Sequence, residues 1–108
     1  MANTFKLKTK TNVGVTTVGI YTAPAATTTV VIGVTLANTS GAGINVGVGI
    51  TRASSDNISL LKNTPIPQGS SLEFMSGNKI VLEATDTITA ISDVTNSLDV
   101  ALTIMEIT

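Results

Sequence analysis

The chain has no cysteine, no histidine and no tryptophan. Without cysteine there are no disulfides, thiolate metal sites or cysteine nucleophiles. Without histidine the commonest general base, metal ligand and triad partner is missing too, and most hydrolase schemes fail with it. Aromatic residues are 3% of the chain, namely Phe5, Tyr21 and Phe74. That is too few for the stacking platforms that hold single-stranded nucleic acid, and it disfavours sugar-binding surfaces for the same reason. Charge is scarce as well: 12% of residues are charged and the formal net charge is −1, so the composition predicts no nucleic-acid partner and no attraction to anionic lipid. The opening Met1-Ala2-Asn3-Thr4-Phe5-Lys6-Leu7-Lys8 lacks the apolar run of a signal peptide, and no later segment approaches membrane-spanning length. The expectation is a protein made and used in solution, with no membrane partner.

What the chain does have is apolar material. Hydrophobic residues are 43% of its 108 positions, more than a small soluble monomer usually carries, and part of that surplus is expected to cover an interface. No stretch shifts composition enough to mark a boundary, which predicts a single domain over 1–108.

Periodicity carries the structural signal, because alternate side chains of a strand point to opposite faces. From Thr28 to Leu36, Val30, Ile32, Val34 and Leu36 fall on one face and Val31, Gly33 and Thr35 on the other. After the turn-prone Asn38-Thr39-Ser40-Gly41-Ala42-Gly43, the pattern resumes with Ile44, Val46, Val48 and Ile50 inward, and the two strands read as a hairpin. Gly47 and Gly49 on its outward side suggest close approach of another backbone, from this chain or a neighbour, though a merely tolerated glycine reads equally well. Leu98, Val100, Leu102 and Ile104 alternate inward near the end of the chain. Shorter segments lie at Val13–Tyr21, Ile58–Lys62, Ser71–Phe74, Lys79–Glu83 and Thr87–Ile91, each bounded by Gly, Pro, Asn, Asp or Ser. The sum is an all-β, single-domain β-sandwich, jelly-roll-like, of about eight or nine short antiparallel strands.

Two segments stand out as candidate contacts. Phe5, Leu7 and Thr9 alternate with Lys6, Lys8 and Lys10. This reads as an edge strand guarded against aggregation by lysines, or alternatively as an arm docking on an acidic neighbouring subunit. In Pro65-Ile66-Pro67-Gln68-Gly69 neither proline can donate to a ladder, which predicts a rigid extended connection followed by a turn. Among the carboxylates Asp56, Glu73, Glu83, Asp86, Asp93, Asp99 and Glu106, no spacing typical of calcium or glycosidase sites occurs. Glu83-Ala84-Thr85-Asp86 reads as a solvated turn. Gly41-Ala42-Gly43 has the glycines of a phosphate loop but neither the following helix nor the lysine. The residues therefore point to a non-enzymatic structural or binding module with no catalytic residue, metal, cofactor or small-molecule substrate.

Met1-Ala2-Asn3-Thr4-Phe5-Lys6, Tyr21-Thr22-Ala23-Pro24, Val31-Ile32-Gly33-Val34-Thr35-Leu36-Ala37-Asn38, Lys62-Asn63-Thr64-Pro65-Ile66-Pro67, Gly69-Ser70-Ser71-Leu72, Lys79-Ile80-Val81-Leu82-Glu83 and Ile104-Met105-Glu106-Ile107-Thr108 form an ordered set. In that order the chain resembles small virion structural proteins of tailed phages, particularly those infecting cyanobacteria. The resemblance implies a virion component assembled in the host cytoplasm, most concretely a capsid cement or decoration protein. Such a protein would oligomerise on the head, as an expected trimer, and stabilise the major capsid protein shell. Candidate interface residues are then Lys6, Lys8, Lys10, Gly47, Gly49, Pro65 and Pro67. The alternatives are a neck, tail or baseplate adaptor docking a fibre and, from another class, a carbohydrate-binding module.

Overall fold

A computed structural model describes residues 3–74 and 79–108, so Met1 and Ala2 of the opening motif lie outside the described residues. The elements are β1 (Asn3–Val13), β2 (Val18–Thr22), β3 (Thr28–Asn38), β4 (Ile44–Thr51), β5 (Asn57–Ile66), β6 (Ser71–Phe74), β7 (Ile80–Leu82), β8 (Thr87–Ser92) and β9 (Leu98–Ile107). One sheet has the order β1-β9-β3-β6 with β7 also on β3, and the other β2-β8-β4-β5. Every pairing is antiparallel. Strands next to each other in sequence alternate between the sheets through the first half of the chain, and the late strands β8 and β9 insert beside early ones. That is jelly-roll connectivity, and the expected β-sandwich is the observed fold.

The core lies between the sheets, filled by Ile44, Val46, Val48 and Ile50 of β4, Leu98, Val100, Leu102 and Ile104 of β9, and Val31, Val34, Leu36, Ile66, Leu82 and Ile88 from their neighbours. For β4 and β9 the alternation read from sequence is the one observed.

On β3 it is not. The ladder with β9 shifts register between Val31 and Gly33, so one extra residue reverses the faces. Val31 is fully buried, Val30 and Ile32 are only half-buried on the outer side, and Val34 and Leu36 return to the core. The expected β3–β4 hairpin does not form either, since β3 pairs with β9, β6 and β7 while β4 pairs with β5 and β8. Buried Asn38 shapes the crossover instead. Its Nδ2 donates to the carbonyls of Ala42 (2.8 Å) and Ile66 (2.9 Å), and its Oδ1 accepts from the Ser40 amide (2.9 Å). The two strands thus face each other across the core, where both apolar faces are buried at once.

The proline segment also differs from expectation. Pro65 lies inside β5, opposite Asn45, and only Pro67 begins the turn, which the Ser70 amide closes on the Pro67 carbonyl (3.1 Å) with Gly69 at φ 70°. Because β5 is an edge strand, the missing amide of Pro65 is tolerated there.

Candidate assembly surface

β1 is the most exposed strand: of its eleven residues only Val13 is buried and only Lys8 is half-buried. Its ladder runs Phe5 opposite Met105, Lys6 opposite Ile104, Lys8 opposite Leu102 and Lys10 opposite Val100. Directly opposed residues share a face, so the lysines lie on the inner side and Phe5 and Leu7 on the outer. At this edge the facing sheet ends in the five-residue β2, which leaves the lysine row open to water.

Two of those lysines are used within the chain. Lys6 Nζ lies 2.8 Å from Glu106 Oε1, and Lys8 Nζ sits 5.9 Å from the centre of the Tyr21 ring. The Tyr21 hydroxyl donates to Glu106 Oε2 and lies 2.8 Å from Thr29 Oγ1. This network joins β1, β2, β3 and β9. Burial, followed by the hydrogen bond to the Glu106 carboxylate, pushes the Tyr21 phenol from 10.0 up to about 12. The Lys6 ammonium and the Tyr21 hydroxyl hold Glu106 below the usual carboxylate range. Tyr21 is the single tyrosine and there is no tryptophan, so phenolate absorbance reads it alone. Titrating the folded protein is expected to give a midpoint near 12 rather than 10.0. Since the folded value is raised, the stability it contributes is complete below the ordinary value and is lost as pH rises through the folded one. A midpoint near the ordinary value in a protein still folded by circular dichroism would break the network.

The glycines have an internal partner. Against β4, β5 carries extra residues where the register shifts between Val46 and Val48 and again between Val48 and Gly49. Its bulged backbone leans over the outer face of β4. A Cβ on Gly49 would stand 2.7 Å from the Ile58 carbonyl oxygen, and one on Gly47 would stand 3.3 Å from that of Leu61. The close approach read from these glycines is thus made by this chain's own β5. An open depression of about 610 Å³ lies over the same face, lined by Gly47, Gly49, Asn57, Leu61, Thr89 and Asp93 among others. Pro65 and Pro67 are exposed on the edge strand and its turn. The structure therefore does not gather the candidate interface residues into one surface: the lysines lie on the inner side of one sheet edge, and the glycines and Pro65 lie on the other sheet.

The surface that periodicity missed is the outer face of the five-stranded sheet. Phe5, Met105, Val30 and Val81 are successive ladder partners, Phe5 with Met105, Met105 with Val30 and Val30 with Val81. They form an apolar stripe straight across β1, β9, β3 and β7. Phe5 is 69% exposed, Leu7 beside it 65% and Val81 55%. The available signals were Gly33 within a strand, a marker of a bulge, and the apolar Phe5-Leu7 row.

At one end of the sandwich, Asp86 is buried rather than solvated. Its carboxylate accepts from the amides of Ala53 (3.1 Å) and Glu83 (3.0 Å), and Arg52 Nε is 3.0 Å away. Burial alone would raise this carboxyl, but the two amides and the guanidinium outweigh it and hold the group below its ordinary value. Arg52 also pairs with Glu83, bracing the β4–β5 and β7–β8 turns against each other. Among the described residues no group of three His, Cys, Asp or Glu is placed to hold a metal ion, and no helix is long and apolar enough to cross a membrane.

No protein-family model matches the chain, and no curated protein does. Among solved structures it is similar to a chain of the Bacillus endospore appendages, described as a novel family of disulfide-linked pili. That likeness has a TM-score of 0.60 at 15% identity and covers 99% of this chain and 87% of that one. A chain of infectious bursal disease virus, Gx strain, aligns with a TM-score of 0.48 at 11% identity, over 95% of this chain and 37% of that one. The cross-link named for the pili has no counterpart here, where cysteine is absent. At such identity the likeness is one of fold: this chain shares its β-sandwich with the appendage protein.

Proposed function

We propose that the protein is a non-enzymatic structural subunit of a virion, a capsid cement protein that associates with its own copies and with the major capsid protein. The observation that carries this reading is the apolar stripe Phe5–Met105–Val30–Val81, which leaves large hydrophobic side chains in water on a small domain. The resemblance of the ordered motifs to tailed-phage virion proteins is what points this reading to a virion. The Bacillus appendage chain, of the same fold, is described as part of pili, so repeated assembly is a use to which this sandwich is put. Each contact in such an array is modest, and many symmetric copies bound to one shell add up through multivalency.

Quantitative mass spectrometry of purified particles against the major capsid protein tests the proposal. Several hundred copies per virion is the expected result for cement. A few copies would move the protein to a neck, tail or baseplate adaptor, and its absence from particles would remove the virion reading.

A further inference from the structure

We propose that the outer face of the five-stranded sheet is a two-fold interface between copies of this chain, with Phe5 of one copy over Val81 of the other and Met105 over Val30. The inference rests on the reading of the protein as a self-assembling subunit and names the surface and the partner. Three features of the molecule argue for a second copy as the occupant.

The first is charge. The stripe and its neighbours Leu7, Thr103, Ile32 and Ile107 include no charged side chain. On the same face Glu73, opposite Thr35, and Asp99, opposite Ala37, lie further along the strands, where the reversed stacking sets them over Thr9 and Ala37 of the other copy rather than over each other. The apolar patch itself thus meets no repulsion and offers a charged partner nothing to pair with. The second is the alternative that the lysines block. Two copies of β1 joined edge to edge, about a two-fold axis normal to the sheet, keep each face on its own side. Residues of like parity are then opposed, Lys8 against Lys8 and Lys6 against Lys10 in the central register. Like charges directly opposite are destabilising, and charges on an edge strand guard against such pairing. Self-association is thereby turned from the sheet edge to the sheet face.

The third is size and shape. The exposed parts of Phe5, Leu7 and Val81, with the half-buried Val30, Ile32, Met105 and Ile107, amount to roughly 500 Å² per copy, or about 1,000 Å² for the pair, at the lower bound of a specific interface. The stripe has a large residue at one end and a small one at the other. It interdigitates with its own copy only when reversed, large over small, as a two-fold axis along the strands provides.

Sedimentation equilibrium of the wild type, Phe5→Glu, Val81→Lys and an equimolar mixture of the two variants tests this, with Val94→Lys, exposed in the β8–β9 loop, as control. The wild type is expected to dimerise with a micromolar dissociation constant. Each single variant, folded by circular dichroism because its side chain is exposed, should weaken the dimer by at least about tenfold, and the control should not. The mixture should restore the dimer, since the mixed pair sets the new carboxylate over the new ammonium at one end and keeps the native contact at the other. Association unaffected by either variant, or not restored by mixing, overturns this interface and leaves self-assembly standing. A wild type monomeric to about 1 mM overturns self-association itself and leaves the face to a different protein, such as a capsid subunit.

Discussion

Gly49→Ala is expected to lower the melting temperature by roughly 10–15 °C, equivalent to about 2–3 kcal/mol for a domain of this size, whereas Gly33→Ala should stay within a few degrees of the wild type. Both glycines sit in strands, and neither needs a left-handed backbone. They differ in what lies above them. A methyl on Gly49 meets the Ile58 carbonyl oxygen at 2.7 Å, while one on Gly33 meets nothing within 4 Å. The obstruction is backbone, so no side-chain rotation relieves it. β5 must lift, and the adjacent pairs Gly49–Ser59 and Ile50–Ile58 go with it. At Gly33 an added methyl stiffens the unfolded chain without a clash, which is neutral or slightly stabilising. Thermal unfolding of the two variants side by side is the measurement. Equal melting temperatures would show that β5 does not bear on β4 in this way.

Asp86→Ala is expected to cost about 3 kcal/mol, roughly 15 °C in melting temperature, and Asp86→Asn distinctly less. The alanine variant strands the amides of Ala53 and Glu83 at a residue that is 1% exposed and removes the partner of Arg52 Nε, leaving the guanidinium its contact with Glu83. Asparagine keeps one acceptor. The pH dependence has a definite sign. Because the folded-state carboxyl is held below its ordinary value of 3.8, the stability it supplies is complete above that value and is lost as pH falls through the lower folded one. Glu106, held below its ordinary 4.5 by Lys6 and Tyr21, acts in the same direction. Denaturant unfolding of the wild type should weaken progressively below about pH 4, and Asp86→Asn should flatten that limb. An unchanged acid limb in Asp86→Asn would show that the buried carboxylate is not what the acid attacks.

Some of this was legible in the chain before any coordinates. On β4 and β9 strict alternation placed Ile44 to Ile50 and Leu98 to Ile104 correctly, because both strands are central in their sheets and the inner side of each is packed against the opposite sheet. On β3 the same reasoning held for Val34 and Leu36 but failed ahead of the bulge, at Val30 to Ile32: an extra residue is invisible to a period-two pattern when both faces are rich in valine and isoleucine. The β3–β4 hairpin failed because a turn-rich segment looks the same whether it closes a hairpin or crosses between sheets, and only long-range contacts distinguish them, here the strand pairings and the bond from Asn38 to the Ile66 carbonyl. Asp86 looked like a surface turn residue because its partners, Arg52 and Ala53, lie more than thirty positions away.

Composition and periodicity by themselves determined the class of the molecule: an all-β sandwich with apolar material to spare, without histidine or cysteine and with too few aromatic residues for base stacking. Those properties are local or additive, and a sequence states them directly. Register, bulges and the meeting of distant strands were decided only by the tertiary structure. They put Val30 and Val81 in line with Phe5 and Met105, turned the lysines inward and set β5 over Gly49. The physical reason is that a strand's pattern says which residues share a face but not which strand will lie beside it, and a surface running across four strands exists only once those neighbours are chosen.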